Sequence, residues 1–221
     1  MANPSSKAKY QLFTITKNNK TFPLQSKVTS FDYYESLLSP NITAIMTFVD
    51  SGLVEKGDEL VKYDKEYDKQ ERPGTLYNAL PIVGDGSEEI KFKISSALGT
   101  LDFSKTPLYV NGASNPDQSS TRESVILSLV SKSAITNQET FVKKNYSKST
   151  NNTQSVRLIV RDLLAIEKFY ADETSNKYPF IGNNKSPFDV ICMLASKSIP
   201  ENGNPGFFFY ETKDGFKFKS I

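Results

Sequence analysis

Apolar and polar positions alternate with a period of two through much of the first 130 residues, the signature of half-buried strands. Tyr10 to Thr16 is a short apolar–polar run that ends in the turn-prone Lys17-Asn18-Asn19-Lys20. Lys27 to Leu38 is rich in aromatic and β-branched residues, Ser39-Pro40-Asn41 breaks it, and Ile42 to Val49 follows. The pair predicts a hairpin that Asp50-Ser51-Gly52 closes. Leu76 to Leu80 restores apolar order before Pro81-Ile82-Val83-Gly84-Asp85-Gly86 turns the chain. Glu89 to Ile94 alternates cleanly, with Ile90, Phe92 and Ile94 on one face and Glu89, Lys91 and Lys93 on the other. Leu108 to Ala113 and Ser124 to Lys132 predict two more strands, joined by a polar connection from Ser114 to Arg122. Residues 10–130 are therefore expected to form a mostly antiparallel β-barrel or a strongly twisted sheet.

The period then changes to 3.6. Val156, Ile159, Val160, Leu163 and Leu164 form one helical stripe, which predicts a helix over about 154–166. Ser186-Pro187 is a helix start, a capping Ser followed by Pro at the first helical position. The helix it opens, about 187–198, is apolar nearly all round, so it is expected to be buried. Gly206 to Lys213 and Phe216 to Ile221 flank Asp214-Gly215, a strong hairpin signal. Phe207-Phe208-Phe209-Tyr210 puts aromatics on both faces of its strand, with too few partners in the preceding sequence to bury both. The fold class expected is α+β, mainly β: a tube-like antiparallel β-barrel domain over 1–132, a helical insert over 133–205, and the start of a second β-barrel at 206–221. The chain is expected either to continue beyond Ile221 or to have that hairpin completed by another chain, since a lone hairpin is marginal in water.

Composition narrows the chemistry. The chain has 221 residues, enough for one large domain or two small ones, and 15 Phe and 11 Tyr supply much of its apolar area. With 27 basic against 25 acidic residues, net +2, no electrostatic grip on nucleic acid is implied. Residues 55–72 hold seven acids and five bases and suggest an exposed charged loop. The N-terminus is polar, without the apolar core of a signal peptide, and no apolar run is long enough to span a bilayer. The sequons at Asn41, Asn145 and Asn151 are therefore chance matches, and a single Cys fits a reducing cytosol.

The absence of His removes every His-based acid–base, triad and metal scheme at once. One Cys without His leaves zinc and iron–sulfur sites with no ligand set. Gly84-Asp85-Gly86 begins a G-x-G, but Glu89 stands where the third glycine belongs. Glu88 and Glu89 are adjacent carboxylates, and neighbours on a strand point to opposite faces, so they cannot flank one bond. Cys192, in the middle of the apolar helix, is expected to be a small buried hydrophobe and not a nucleophile. Phe216-Lys217-Phe218-Lys219 could stack and neutralise single-stranded nucleic acid, but an amphipathic strand with inward Phe and outward Lys explains it more simply. No catalytic, cofactor-binding or metal-binding residue is assigned, and no cofactor is expected.

Several segments together resemble one family. Ser30-Phe31-Asp32-Tyr33-Tyr34-Glu35-Ser36-Leu37-Leu38-Ser39-Pro40, running into Ala44 to Gly52, resembles the opening hairpin of baseplate hub subunits of contractile-tailed phages. So do Leu80-Pro81-Ile82-Val83-Gly84, Leu108-Tyr109-Val110-Asn111 and Tyr178-Pro179-Phe180-Ile181-Gly182-Asn183-Asn184. Ser186-Pro187-Phe188, Leu194-Ala195-Ser196-Lys197-Ser198 and Gly206-Phe207-Phe208-Phe209-Tyr210-Glu211-Thr212 continue the likeness in the same order. Such hubs are similar in fold to the trunk of type VI secretion spikes. The resemblance implies a homotrimeric ring of two tube-like barrels per subunit, joining a six-fold tail tube above to a three-fold spike below. It implies a virion component of the tail baseplate, assembled in the host cytoplasm, with no enzyme activity, no sequence-specific nucleic-acid partner and no membrane insertion. A tail-tube or tube-initiator protein, which would be six-fold, is the alternative within the same machinery. A hydrolase built on a Ser–Lys or carboxylate pair is the alternative of another class.

Overall fold

The computed structural model of the chain describes residues 8–50, 82, 84–97, 99–118, 123–147, 150–201 and 206–220. The expected charged loop at 55–72 and the Leu76 to Leu80 segment lie outside them. The chain is mainly β with three helices among the described residues, and it divides into two compact units. One combines Met1–Tyr33 with Ala44–Val130, the other Tyr34–Thr43 with Ser131–Ile221.

The first unit is an eight-stranded sheet made of β1 (Lys9–Lys17), β2 (Lys20–Pro23), β3 (Val28–Tyr34), β4 (Thr43–Asp50), β5 (Glu89–Ser96), β6 (Gly99–Asp102), β7 (Leu108–Gln118) and β8 (Glu123–Val130). The order is β2-β1-β5-β7-β8-β4-β3, and β6 shares an edge of β5 with β7. The β1–β2 turn uses Asn18 and Asn19, both left-handed at φ 50° and 63°, the backbone that a two-residue hairpin demands. Antiparallel pairing of β1 with β5 sets Phe13 opposite Phe92 and Ile15 opposite Ile90, and all four are buried. Phe31, on β3 at the far end of the strand order, lies 5.3 Å from Phe13 and 4.6 Å from Phe92 between ring centroids. The sheet therefore curls until its two ends share one core, although the hydrogen-bonded ladder is open between β2 and β3. A column of rings, Phe13, Phe92, Phe103 and Tyr33, fills the interior. Two lysine–carboxylate pairs are drawn in with it, Lys17 to Glu88 at 2.8 Å and Lys27 to Asp50 at 2.7 Å.

Three strand boundaries differ from expectation. The expected polar connection from Ser114 is strand as far as Gln118, where β7 ends, and β8 starts at Glu123, with bulges absorbing the irregular register. The Lys27 to Leu38 run leaves the sheet after Tyr34, and the four-residue strands β2 and β6 are too short to show a period. Lys132 opens a helix and does not end β8.

The second unit carries α1 (Lys132–Glu139), β9 (Asn145–Tyr146), α2 (Asn152–Asp162), β10 (Phe169–Ala171), β11 (Phe180–Ile181), α3 (Pro187–Lys197), β12 (Phe207–Thr212) and β13 (Gly215–Ser220). Helix α2 starts two residues before the expected position because Asn151 and Gln154 form a reciprocal cap. It stops four residues early, and Ala165 adopts a left-handed φ of 50° just beyond it. In α3 the Ser186 hydroxyl accepts from the Asp189 amide at 3.3 Å and Pro187 sits in the first turn, as the sequence predicts. The β12–β13 turn falls on Lys213-Asp214, one residue earlier than expected. Gly215 opens β13 at φ 127°, where a Cβ would lie 2.7 Å from both the Lys168 carbonyl oxygen and the Lys168 Cβ, so only glycine fits.

Of the two aromatic faces of the terminal hairpin, one is buried within the chain and the other is only half-buried. Phe207, Phe209, Phe216 and Phe218 are buried within the chain. Phe188 of α3 packs on Phe209 at 5.6 Å and on Phe216 at 6.1 Å, and Phe207 stacks on Phe218 at 4.7 Å. Strand β10 extends the hairpin to a three-stranded sheet, pairing parallel with β13. On the opposite face Phe208 and Tyr210 are half-buried. A polar network fastens the segment before β11 to both helices. The Thr153 hydroxyl donates to the Asp172 carbonyl, Asn152 Nδ2 donates to the Ser198 hydroxyl, and the Tyr178 amide donates to Asn152 Oδ1.

Candidate assembly surface

The structure scatters the residues that the sequence raised as chemical candidates. Glu88 is buried against Lys17, whereas Glu89 starts β5 and accepts from the Tyr109 hydroxyl at 3.2 Å. Gly84 and Gly86 hold left-handed backbones at φ 74° and 84°. A Cβ on Gly84 would come within 2.8 Å of the Gly112 Cα, so close backbone packing accounts for glycine at that position. Cys192 is exposed, contrary to the expected burial, because it lies on the face of α3 away from Ile191 and Leu194. Crowding by its neighbours, and then the Asp189 carboxylate, raise its thiol above the usual range. In β13 the Phe side chains point inward and the Lys side chains are half-exposed, with Lys219 paired to Asp172. Among the described residues no group of three or more His, Cys, Asp and Glu could hold a metal ion, and no helix is long and apolar enough to cross a membrane.

What the second unit does concentrate is a clasped, apolar loop. The connection from β3 to β4 is pinned to the terminal hairpin at two points. The Lys213 amide donates to Glu35 Oε1 at 2.7 Å, and the Ile42 amide donates to Glu211 Oε2 at 2.9 Å. Each carboxylate satisfies a backbone donor that would otherwise be left without a partner. Glu211 shares the inward face of β12 with Phe207 and Phe209, so burial is the main influence on it and pushes its pKa up to about 7. The hydrogen bond from the Ile42 amide and the polarity of the nearby Ser131 hydroxyl act against that rise, and the Glu35 charge adds to it. The period-two continuation of Phe207 and Phe209 places Glu211 on the buried face, the one sequence signal for this residue.

From the end of β3 through the stretch between the two clasps, large apolar side chains face solvent. Leu38 is 84% exposed, Leu37 48% and Tyr34 50%. The same unit has an open groove of about 580 Å³ between α2 and β10, lined by residues that include Arg157, Leu158, Arg161, Ile166 and Phe169. Strands β10 and β12 are the two edges of the three-stranded sheet. Solvent-facing leucines, an open groove and sheet edges are features through which proteins commonly associate.

Comparison with solved structures gives this fold a context. The chain is similar to the 43 kDa tail protein of prophage MuSo2 from Shewanella oneidensis, at 12% identity and a TM-score of 0.55 over 94% of this chain and 53% of that one. It is also similar to the tail protein from Neisseria meningitidis MC58, at 9% identity and a TM-score of 0.51 over 94% of this chain and 49% of that one. A type VI secretion component from E. coli, described as structurally similar to the T4 tail proteins gp27 and gp5, aligns at 11% identity over 98% of this chain and 47% of that one, with a TM-score of 0.45 too low to carry an argument. The chain spans about half the length of these solved proteins. No protein-family model and no curated protein matches it. Its fold, mainly antiparallel β with helices, is shared with about half of each of those two tail proteins.

Proposed function

We propose that the chain is a structural subunit of a phage tail baseplate hub, acting by geometry and burial without catalysis. The observation that carries this reading is the fold shared with two tail proteins across 94% of the chain, at identities of 12% and 9%. In this reading the curled sheet of the first unit is one tube-like barrel of the hub. Residues 133–205 are a helical insert, and the hairpin at 206–221 begins a second barrel. Three subunits close a ring that meets a six-fold tail tube above and a three-fold spike below, and the protein resides in the baseplate of a contractile-tailed virion. Antibody labelling of purified particles tests the location. Gold at the tube–spike junction supports a hub, and labelling along the tube hands the chain to the tail-tube alternative.

A further inference from the structure

The two clasps between the β3–β4 connection and the terminal hairpin are reciprocal. The connection supplies Glu35, which accepts from the Lys213 amide of the hairpin at 2.7 Å. The hairpin supplies Glu211, which accepts from the Ile42 amide of the connection at 2.9 Å. Both segments belong to the second unit. Strands β12 and β13 pair with each other and β13 with β10, and neither pairs with β3 or β4, so no backbone ladder reinforces the clasps. The hold of the hairpin on the connection therefore passes through two titratable side chains of the same sign, and carboxylates brought to one junction cannot both ionise without cost.

The surroundings of Glu211 offer its charge little relief. Opposite it on β13 stands Phe216, while Lys217 lies opposite Tyr210 and Lys219 is paired to Asp172. Helix α3 covers the hairpin with Phe188, and the start of α1 brings the buried Ser131 hydroxyl. Asp189 and Lys197 of α3, Lys132 of α1, and Lys213 and Asp214 of the turn are exposed. The charge that acts on Glu211 is Glu35, and it repels. We propose that this carboxylate pair is a proton-operated latch: protonated Glu211 holds the β3–β4 connection on the terminal hairpin, and loss of that proton frees it. The Ile42 amide binds the carboxylate more firmly than the acid, but burial and the Glu35 charge outweigh it, and release hydrates both groups. The held state keeps the Glu211 proton up to about pH 7, whereas hydrated Glu211 gives it up near 4.5. Between those values each pH unit favours release by about tenfold, and beyond them the balance is level. The freed segment carries Leu37 and Leu38, so the latch sets whether those exposed side chains stand on a fixed or a free backbone. It is a property of the single chain and holds whether or not the chain is a hub subunit.

The test is amide hydrogen exchange on the full chain, read residue by residue by NMR and corrected for the pH dependence of the intrinsic rate. In wild type, protection at the Ile42 and Lys213 amides is expected to fall about tenfold or more between about pH 5 and about pH 8. In Glu211→Gln, which keeps an acceptor for the Ile42 amide and has no proton to lose, it should stay level. Release of a short connection exposes little surface, so exchange at Ile42 and Lys213 should be insensitive to low urea. Exchange at Phe216, a buried residue whose amide donates to the Lys168 carbonyl at 2.9 Å, should instead follow global unfolding and rise with urea. Level protection in wild type, an equal fall in Glu211→Gln, or the same urea dependence at Ile42 and Lys213 as at Phe216 would each overturn the proposal. The pH and urea series need only wild type, so they decide the matter even if the variant fails to fold.

Discussion

Replacing Glu211 with Gln should abolish a pH dependence of stability that the wild-type chain carries near neutrality. In the folded chain the Glu211 pKa rises from 4.5 to about 7, chiefly because burial disfavours the charge and secondly because Glu35 repels it. At roughly 1.4 kcal/mol per pKa unit the shift is worth about 3 kcal/mol, an upper figure for a residue that is half-buried. The sign follows from proton binding. Between pH 4.5 and about 7 the native state holds a proton that the unfolded state has released, so stability falls as pH rises. The contribution is complete below 4.5 and is lost once pH passes about 7. Gln keeps an acceptor for the Ile42 amide and has no charge to bury. Urea unfolding of wild type and Glu211→Gln across this range should give curves that coincide in acid and separate by about 1–3 kcal/mol at alkaline pH, with the variant the more stable. Asp85, Asp102, Asp162 and Asp172 have lowered pKa values and act in the opposite sense in acid, but they are common to both proteins and cancel in the difference. Parallel curves at all pH values would refute the account of Glu211.

Phe218→Ala removes a fully buried ring that stacks on Phe207 at 4.7 Å, and should cost about 3–5 kcal/mol in chemical unfolding. Lys17→Met takes the cation from buried Glu88 and should cost about 3–5 kcal/mol, while Lys17→Met with Glu88→Leu should recover most of that loss. If the double variant is no more stable than the single one, the penalty does not come from keeping the Glu88 carboxylate buried without the Lys17 cation.

The legible parts of the fold are those where a local pattern and the tertiary environment agree. Ile90 and Phe92 alternate with charged neighbours and are both fully buried, and Ser186-Pro187 opens α3 where the capping chemistry places it. The illegible parts depend on distant partners. Nothing near Phe169 announces that it pairs parallel with Phe216, and without β10 and Phe188 the terminal hairpin looks under-partnered. Glu211 and Ile42 are 169 residues apart, so no window along the chain contains the clasp. Cys192 misled for a related reason. A helix rich in apolar residues has no strong polar face to orient it, and only the packing of Phe188, Ile191 and Leu194 reveals which side faces solvent. The order of segments such as Ser186-Pro187-Phe188 and Gly206-Phe207-Phe208-Phe209 raises the expectation of a hub family. Of that expectation, what the structural comparison supports is the tail-protein fold.

The proposed ring would have a measurable symmetry. Particle imaging of purified baseplates or virions, with the chain located by a tag on an exposed residue such as Asp214, reports how many copies surround the axis. Three copies at the junction of tube and spike are the predicted result. Six copies, or a location outside the tail, would contradict the hub assignment.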